Sequence, residues 1–338
     1  KAIFDKPPPQ APDVALGHTL FAKTCRQCHT LFGAGGKVGP ELTGSNRANL
    51  DYMLANLLDP SALIGKDYQA TIIQTDDGRT LTGIVRGEND DAVTLATANE
   101  TVVVPKSEIE LRELSAKSMM PDDQLKPFSE HELRSLIAYL ASPSQTPFLA
   151  TAENAANFFN GRDLAGWQGD AALWSVENGE IVGRTSGLDH NEFLRSELAA
   201  GDFRLSLEVQ LVKNEGNSGI QFRSETVGGG DVKGYQADIG PGWWGKLYEE
   251  QGRALLWDRS GEAHVRPGEW NHYEIVAAGS RIRTQINGKP CVELDDAPGA
   301  RRGIFAFQLH SGGPTEVRFK EIKLELIDAA DGAAKAGE

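Results

Sequence analysis

Residues 25 to 29 read CRQCH, so two thiols, Cys25 and Cys28, stand three positions apart with an imidazole, His29, directly after the second. Thiols at i and i+3 lie on one turn, where they can add to the two vinyl groups of a porphyrin while the adjacent imidazole faces its iron. This spacing is the haem c attachment motif. Zinc would need further Cys or His at ligand spacing, and none is nearby. The stretch SMMP at 118 to 121 fits the same chemistry, because thioether sulfur is a good axial ligand for haem iron. Pro121 holds the residue before it extended, which makes Met120 the ligand and Met119 the packing residue. Together these residues predict one covalent haem c with His29 and Met120 on the iron. Covalent haem attachment generally takes place outside the cytoplasm, so a periplasmic or other extracytoplasmic location is expected. The start at Lys1 is what a removed signal peptide would leave.

A second chemical set lies in the other half of the chain, in segments where apolar and polar residues alternate. In a strand buried on one face, alternate side chains share the other face. With Phe203, Leu205, Leu207 and Val209 inward, DFRLSLEVQL turns Glu208 and Gln210 outward. By the same alternation GIQFRS presents Gln221 and Arg223, GYQADIG presents Gln236 and Asp238, and IFAFQLHS presents Gln308 and His310. Any one of these could simply wet a solvated sheet. As a set they supply acid, amide, guanidinium and imidazole groups, with Trp243, Trp244 and Tyr248 nearby to stack on a sugar ring and Glu250 as a further acid. Such a mixture suits a neutral polyhydroxylated ligand.

The elements that position the first set are helical. Residues 13 to 24 carry Val14, Gly17, Phe21 and Thr24 at helical spacing and lead into Cys25, and residues 129 to 141 open on the capping box Ser129 and Glu132 before Leu133, Leu136, Ile137 and Leu140. Between them, about 66 to 114 alternates like five short strands broken by DDG, ENDD and ANE. Residues 146 to 157 read as a linker and 329 to 338 as a tail, and 158 to 328 is strand-patterned throughout, with Asn287-Gly288 a type I′ hairpin signal. Cys291 lies in one of these strand-like runs and reads as a small buried hydrophobe. A chain of 338 residues has room for two domains, its net charge of −14 argues against nucleic acid and anionic membrane surfaces, and no apolar run is long enough to span a bilayer.

On CRQCH, VGPELTG, the MP dipeptide and the closing helix with AYL, residues 1 to 145 resemble a class I monohaem cytochrome c of the kind abundant in planctomycetes, an α-helical fold with a small inserted β-sheet. The resemblance implies that Gly17 and Phe21 cross against Tyr139 and that the Pro40 carbonyl accepts the His29 Nδ1 proton. On FFNGRDLAGW, NSGIQFRSE, KGYQADIG, EWNHYEI, INGK and FQLH, residues 158 to 328 resemble the 3-keto-disaccharide hydrolase domain, an all-β, concanavalin-like (jelly-roll) sandwich. Many members of that family have a glutamate and, two residues later, a glutamine where this chain has Gln236 and Asp238. The acid has moved by two positions.

What the second resemblance implies is cleavage of 3-keto-glycosides. A base removes the proton on C2, the enolate expels the C1 substituent, and water then adds or does not. Asp238 or His310 is the expected base, Arg223 the partner of the enolate, and Gln221, Gln308 and Glu208 orient hydroxyls. Gln236 and the aromatic residues contact the sugar, and a divalent metal is a candidate cofactor. A tethered cytochrome would accept electrons beside a partner such as a sugar dehydrogenase. The competing expectation is a glycan-binding sandwich without chemistry, attached to an electron carrier.

Overall fold

A computed structural model describes residues 3–327, and the chain separates into two compact units, Lys1–Thr146 and Pro147–Glu338. The tail expected at 329 to 338 lies outside the described residues. No helix among them is long and apolar enough to cross a membrane.

In the first unit, α1 (Val14–Thr24) begins where the Asp13 carboxylate accepts from the Leu16 N–H at 3.1 Å, and α2 (Leu50–Leu58) where the Asn49 side chain caps Tyr52. The third helix, α3 (Glu130–Ala141), carries the full Ser129/Glu132 capping box. Gly17 lets the backbones of α1 and α3 meet: a Cβ there would fall 2.0 Å from the Ser135 carbonyl oxygen and 2.7 Å from the Tyr139 Cβ. Tyr139 is fully buried in this crossing, with His18 stacked on its ring at 4.6 Å and Phe21 tilted against it at 5.5 Å.

Between α2 and α3 the two-residue alternation folds into a five-stranded antiparallel sheet. Its order is Thr101–Pro105, Ala92–Ala96, Thr80–Glu88, Thr71–Thr75 and Ile109–Leu114. The sheet has its own small core of Ile73, Val93, Leu95 and Val104.

Two expectations for this unit are corrected. The α-helical fold expected over 1 to 145 does not hold: among the described residues strand makes up 41% against 16% helix, and the five strands expected as a small insertion bury a core of their own. The expected haem c, with attachment at Cys25 and Cys28 and iron ligands His29 and Met120, is also overturned. Among the described residues no group of three or more His, Cys, Asp or Glu side chains comes together to hold a metal ion. Cys25 is packed with Leu20, Phe21 and Leu31, and burial raises its thiol pKa; Met120 lies at the margin of the same apolar cluster. His29 Nδ1 donates to the Pro40 carbonyl at 2.9 Å, which holds the ring, and burial lowers its pKa. The redox partner expected from the haem is left without support.

The second unit is a sandwich of two antiparallel sheets. One sheet runs Trp174–Glu177, Glu180–Thr185, Thr315–Leu326, Phe203–Leu211, Asn271–Ala278, Arg281–Ile286, Lys289–Asp295. The other runs Ala254–Trp257, Leu247–Glu250, Val232–Ile239, Ser218–Thr226, Gly303–Leu309, Glu192–Ala200, and closes with Phe148–Leu149 in parallel pairing, while an eighth strand, Trp167–Gln168, also pairs with Glu192–Ala200. Part of the segment expected as a linker is therefore structured: Phe148–Leu149 extends a sheet and Ala152–Ala155 forms one helical turn. Asn287 and Gly288 both have positive φ, 51° and 72°, as a type I′ turn requires. Cys291 lies half-buried against the core.

The core between the sheets is aromatic. Phe203 meets Phe305 edge to face at 4.7 Å, and Phe307 stacks on Phe319 at 4.0 Å. Such pairs have few alternative packings, so they hold the pleat of both sheets in one register.

The close approach at Gly17 makes a direct prediction. Gly17→Val should destabilise the first unit by roughly 2–3 kcal/mol through overpacking, read as a lowered thermal midpoint. Gly44→Ala should leave the midpoint unchanged, since a Cβ at Gly44 meets nothing within 4 Å.

Candidate functional site

The site follows from which side chains the core excludes. Ile220, Phe222, Tyr235, Ala237, Ile239, Phe305, Phe307 and Leu309 fill the space between the sheets. Their alternates, Gln221, Gln236, Asp238 and Gln308, therefore share the opposite face of the eight-stranded sheet. Pairing brings them side by side. Gln221 is opposite Gln236, and Gly219 lies between Asp238 on one neighbouring strand and Gln308 on the other. On the next strand Tyr248 pairs with Gln236 and Glu250 with Gly234. Ala237 pairs with Leu247, and one step further the Asp238 N–H donates to the Lys246 carbonyl at 3.2 Å, so Lys246 is the cross-strand neighbour of Asp238.

A one-way hydrogen-bond chain crosses this face. Ser224 Oγ donates to Gln221 Oε1 at 3.1 Å, Gln221 Nε2 to Gln236 Oε1 at 2.7 Å, and Gln236 Nε2 to Asp238 Oδ1 at 2.7 Å. A Cβ at Gly219 would lie 2.4 Å from the Gln236 amide carbon, so glycine is what leaves room for the chain. Gln308 Nε2 donates to Glu250 Oε2 at 3.3 Å. The accounting leaves two buried oxygens, Asp238 Oδ2 and Gln308 Oε1, without a hydrogen-bond partner. Asp238 is 2% exposed and Gln308 fully buried. Buried polar atoms are usually satisfied, so two orphans on one face mark where a ligand's hydroxyls would bond.

The electrostatics are those of an acid–base site. Burial pushes the Asp238 pKa up to about 7, helped by the neighbouring Glu250 charge and opposed by the Gln236 hydrogen bond and by Lys246. Glu250 is also raised, by its own burial and by Asp231, against the pull of His310 and Gln308. A carboxyl group that titrates near neutrality can both take and return a proton.

Not every expected residue arrives here. Gln221, Gln236, Asp238, Gln308, Tyr248 and Glu250 do. Trp243, 39% exposed, sits edge to face with Tyr248 at 6.4 Å and so borders the same group. His310 follows Gln308 in the alternation and acts electrostatically on Glu250, but it is exposed with Nδ1 bonded to the Ser311 carbonyl at 2.7 Å.

Three expected residues lie elsewhere. Arg223 has φ of +47° at a bulge, which turns its side chain off this face. The guanidinium is held by the Gly201, Gly279 and Ala300 carbonyls and by Asp202 at 2.8 Å. Glu208 belongs to the other sheet, where it pairs with His272 at 3.0 Å. Trp244 is a core residue, 1% exposed, with Nε1 donating to Asn214. The candidate divalent metal finds no group of three ligating side chains among the described residues.

Lys246 and Gly219 were not foreseen. Lys246 had a signal: in KLYEE it alternates with Tyr248 and Glu250, so it belongs to their face. Its side chain is 17% exposed, with the ammonium 2.7 Å from Asp258 and 5.3 Å over the Trp243 ring.

The raised pKa of Asp238 has a stability consequence with a definite sign. The neutral acid suits the folded state, so the stability it contributes is complete below about pH 4 and is lost as pH rises through about 7. Asp238→Asn abolishes that loss. The unfolding free energy of the variant should therefore gain on wild type by on the order of 3 kcal/mol between pH 5 and pH 8, measured by denaturant titration at both values.

Among curated proteins no sequence relative matches significantly. Among solved structures, a carbohydrate binding module, CBM66, from Bacillus subtilis is 18% identical, with 47% of this chain and 95% of that one covered and a TM-score of 0.39. A candidate glycosyl hydrolase from Parabacteroides distasonis ATCC 8503 is 19% identical, with 53% and 98% covered and a TM-score of 0.41. The family described as 3-keto-alpha-glucoside-1,2-lyase-like domain matches residues 154 to 325. That match spans just over half of the 338 residues and contains the whole acid–amide face, and the chain belongs to this 3-keto-alpha-glucoside-1,2-lyase-like domain family.

Proposed function

We propose that the sandwich unit cleaves 3-keto-glycosides by elimination, with Asp238 as the base. The observation that carries this reading is the Asp238 carboxyl group itself. It is buried, titrates near pH 7, is held through one oxygen by Gln236, and has its second oxygen unpartnered.

A ketone at C3 acidifies the hydrogen on C2. Asp238 Oδ2 removes that proton, and the C–H electron pair forms the C2–C3 double bond of an enolate. When the C3 carbonyl re-forms, the pair moves to C1–C2 and the C1–O bond to the aglycone breaks. The departing oxygen takes a proton from Glu250, whose raised pKa suits it to donate. The products are the free aglycone and a 1,2-unsaturated 3-keto sugar, which leaves or takes up water to complete a hydrolysis. Two carboxyl groups at fixed glycosidase spacing are not needed for this route. Tyr248 and the exposed edge of Trp243 offer the sugar ring an apolar surface, and Gln308 Oε1 accepts from one of its hydroxyls. Asp238 is preferred to His310 as base because it is buried and already oriented.

A 3-keto-glucoside with a chromogenic aglycone tests this. Wild type should release the chromophore, and kcat/KM should rise with pH through about 7, as Asp238 ionises, to a plateau. The groups that set this limb, besides burial, are Gln236 on its own strand, Glu250 on the neighbouring strand and Lys246 just before that strand. Asp238→Asn should lower kcat by roughly 10²- to 10⁴-fold. Equal release by both proteins would remove Asp238 from the mechanism. Binding of the sugar without release would make the sandwich a glycan-binding module.

A further inference from the structure

We propose that Lys246 is the catalytic cation that takes up the negative charge of the enolate. This inference rests on the elimination reading above and names a residue for a step that reading leaves open.

The chemistry sets the requirement. When the C2 proton leaves, charge accumulates on the C3 oxygen, one carbon away from the base, and a donor fixed beside Asp238 lowers that barrier. Arg223, which the sequence suggests for this role, is turned away and engaged by three carbonyls and Asp202. The other cations near the face are engaged too. Arg195 donates to the Gly230 carbonyl, and Arg253 is bound by both Glu249 and Asp296. Lys233 projects into solvent, half exposed, near Glu225.

Lys246 meets the requirement by position. It sits one step past the last ladder pair, Ala237 with Leu247; its carbonyl accepts from the Asp238 N–H at 3.2 Å, and its charge acts on the Asp238 carboxyl group. A flexible four-carbon stem rooted there can bring the ammonium to an oxygen on the carbon adjacent to the one Asp238 deprotonates. The side chain is mostly buried, with its Nζ over the Trp243 ring, beside the surface offered to the sugar. Its ion-pair partner, Asp258, is 72% exposed. A solvated carboxylate holds an ammonium weakly, and an ammonium has three donors, so Lys246 can turn one toward a substrate oxygen. The same charge favours the ionised form of Asp238, so one residue serves both the base and the enolate.

The test is steady-state kinetics of wild type, Lys246→Met and Lys246→Arg on the chromogenic 3-keto-glucoside, with deuterium incorporation at C2 followed in heavy water. Lys246→Met should lose roughly 10²- to 10³-fold in kcat with KM within about threefold, and lose C2 exchange in parallel. Its rate–pH limb should move to higher pH, because Asp238 loses a stabilising charge, whereas a purely structural lysine would leave the limb in place. Lys246→Arg keeps the charge and should recover part of kcat and the wild-type limb. Turnover by Lys246→Met within threefold of wild type overturns this inference and leaves the elimination reading standing. Loss of kcat equal in both variants, with an unmoved limb, also overturns it. No release by wild type overturns both.

Discussion

Pleat alternation locked by an aromatic core is the constraint on which the sandwich unit depends. Phe203, Phe222, Phe305, Phe307, Phe319 and Tyr235 interlock between the two sheets, and a slip of one residue on any central strand would send these rings into the opposite face. Because that slip is forbidden, the register of Ser218–Thr226 against its two neighbours is fixed, and so is the neighbourhood of Gln221, Gln236, Asp238 and Gln308. The acid–amide face is the geometric remainder of the hydrophobic one.

That remainder carries a cost. A carboxyl group at 2% exposure is poorly solvated, and the amide chain from Ser224 through Gln221 and Gln236 compensates only one of its oxygens. The result is an acid poised near neutrality. Arg223 shows the opposite use of a buried charge: with one guanidinium bonded to Asp202 and three carbonyls, it ties several loops to a central strand of the same sheet. A single bulge separates the two outcomes, since without the positive φ at Arg223 alternation would have placed it beside Gln221.

The first unit follows different packing rules. A glycine-mediated helix crossing, with Tyr139 at its centre, holds α1 against α3, while the five strands between α2 and α3 enclose a separate apolar cluster. Three local features of this unit were legible as types: the two longer helices, the capping box, and the alternation of 71 to 114. The haem reading rested on CRQCH, on SMMP and on a resemblance carried by VGPELTG and the closing helix, and motifs along the chain do not by themselves bring ligating side chains together.

In the sandwich, the residues themselves determined which positions are strands, which face of each strand is apolar, and the Asn287-Gly288 turn, because these depend only on neighbours in the chain. They also named Gln221, Gln236, Gln308, Tyr248 and Glu250, which share a face with Asp238. Which strands lie next to one another was decided by the tertiary structure, and with it the fate of the rest. Glu208 has the same alternation as Asp238 but belongs to the other sheet, Trp244 is drawn into the core, and Lys246 becomes the neighbour of Asp238. Periodicity assigns a side chain to a face, and only the pairing of strands far apart in the chain assigns that face to a site.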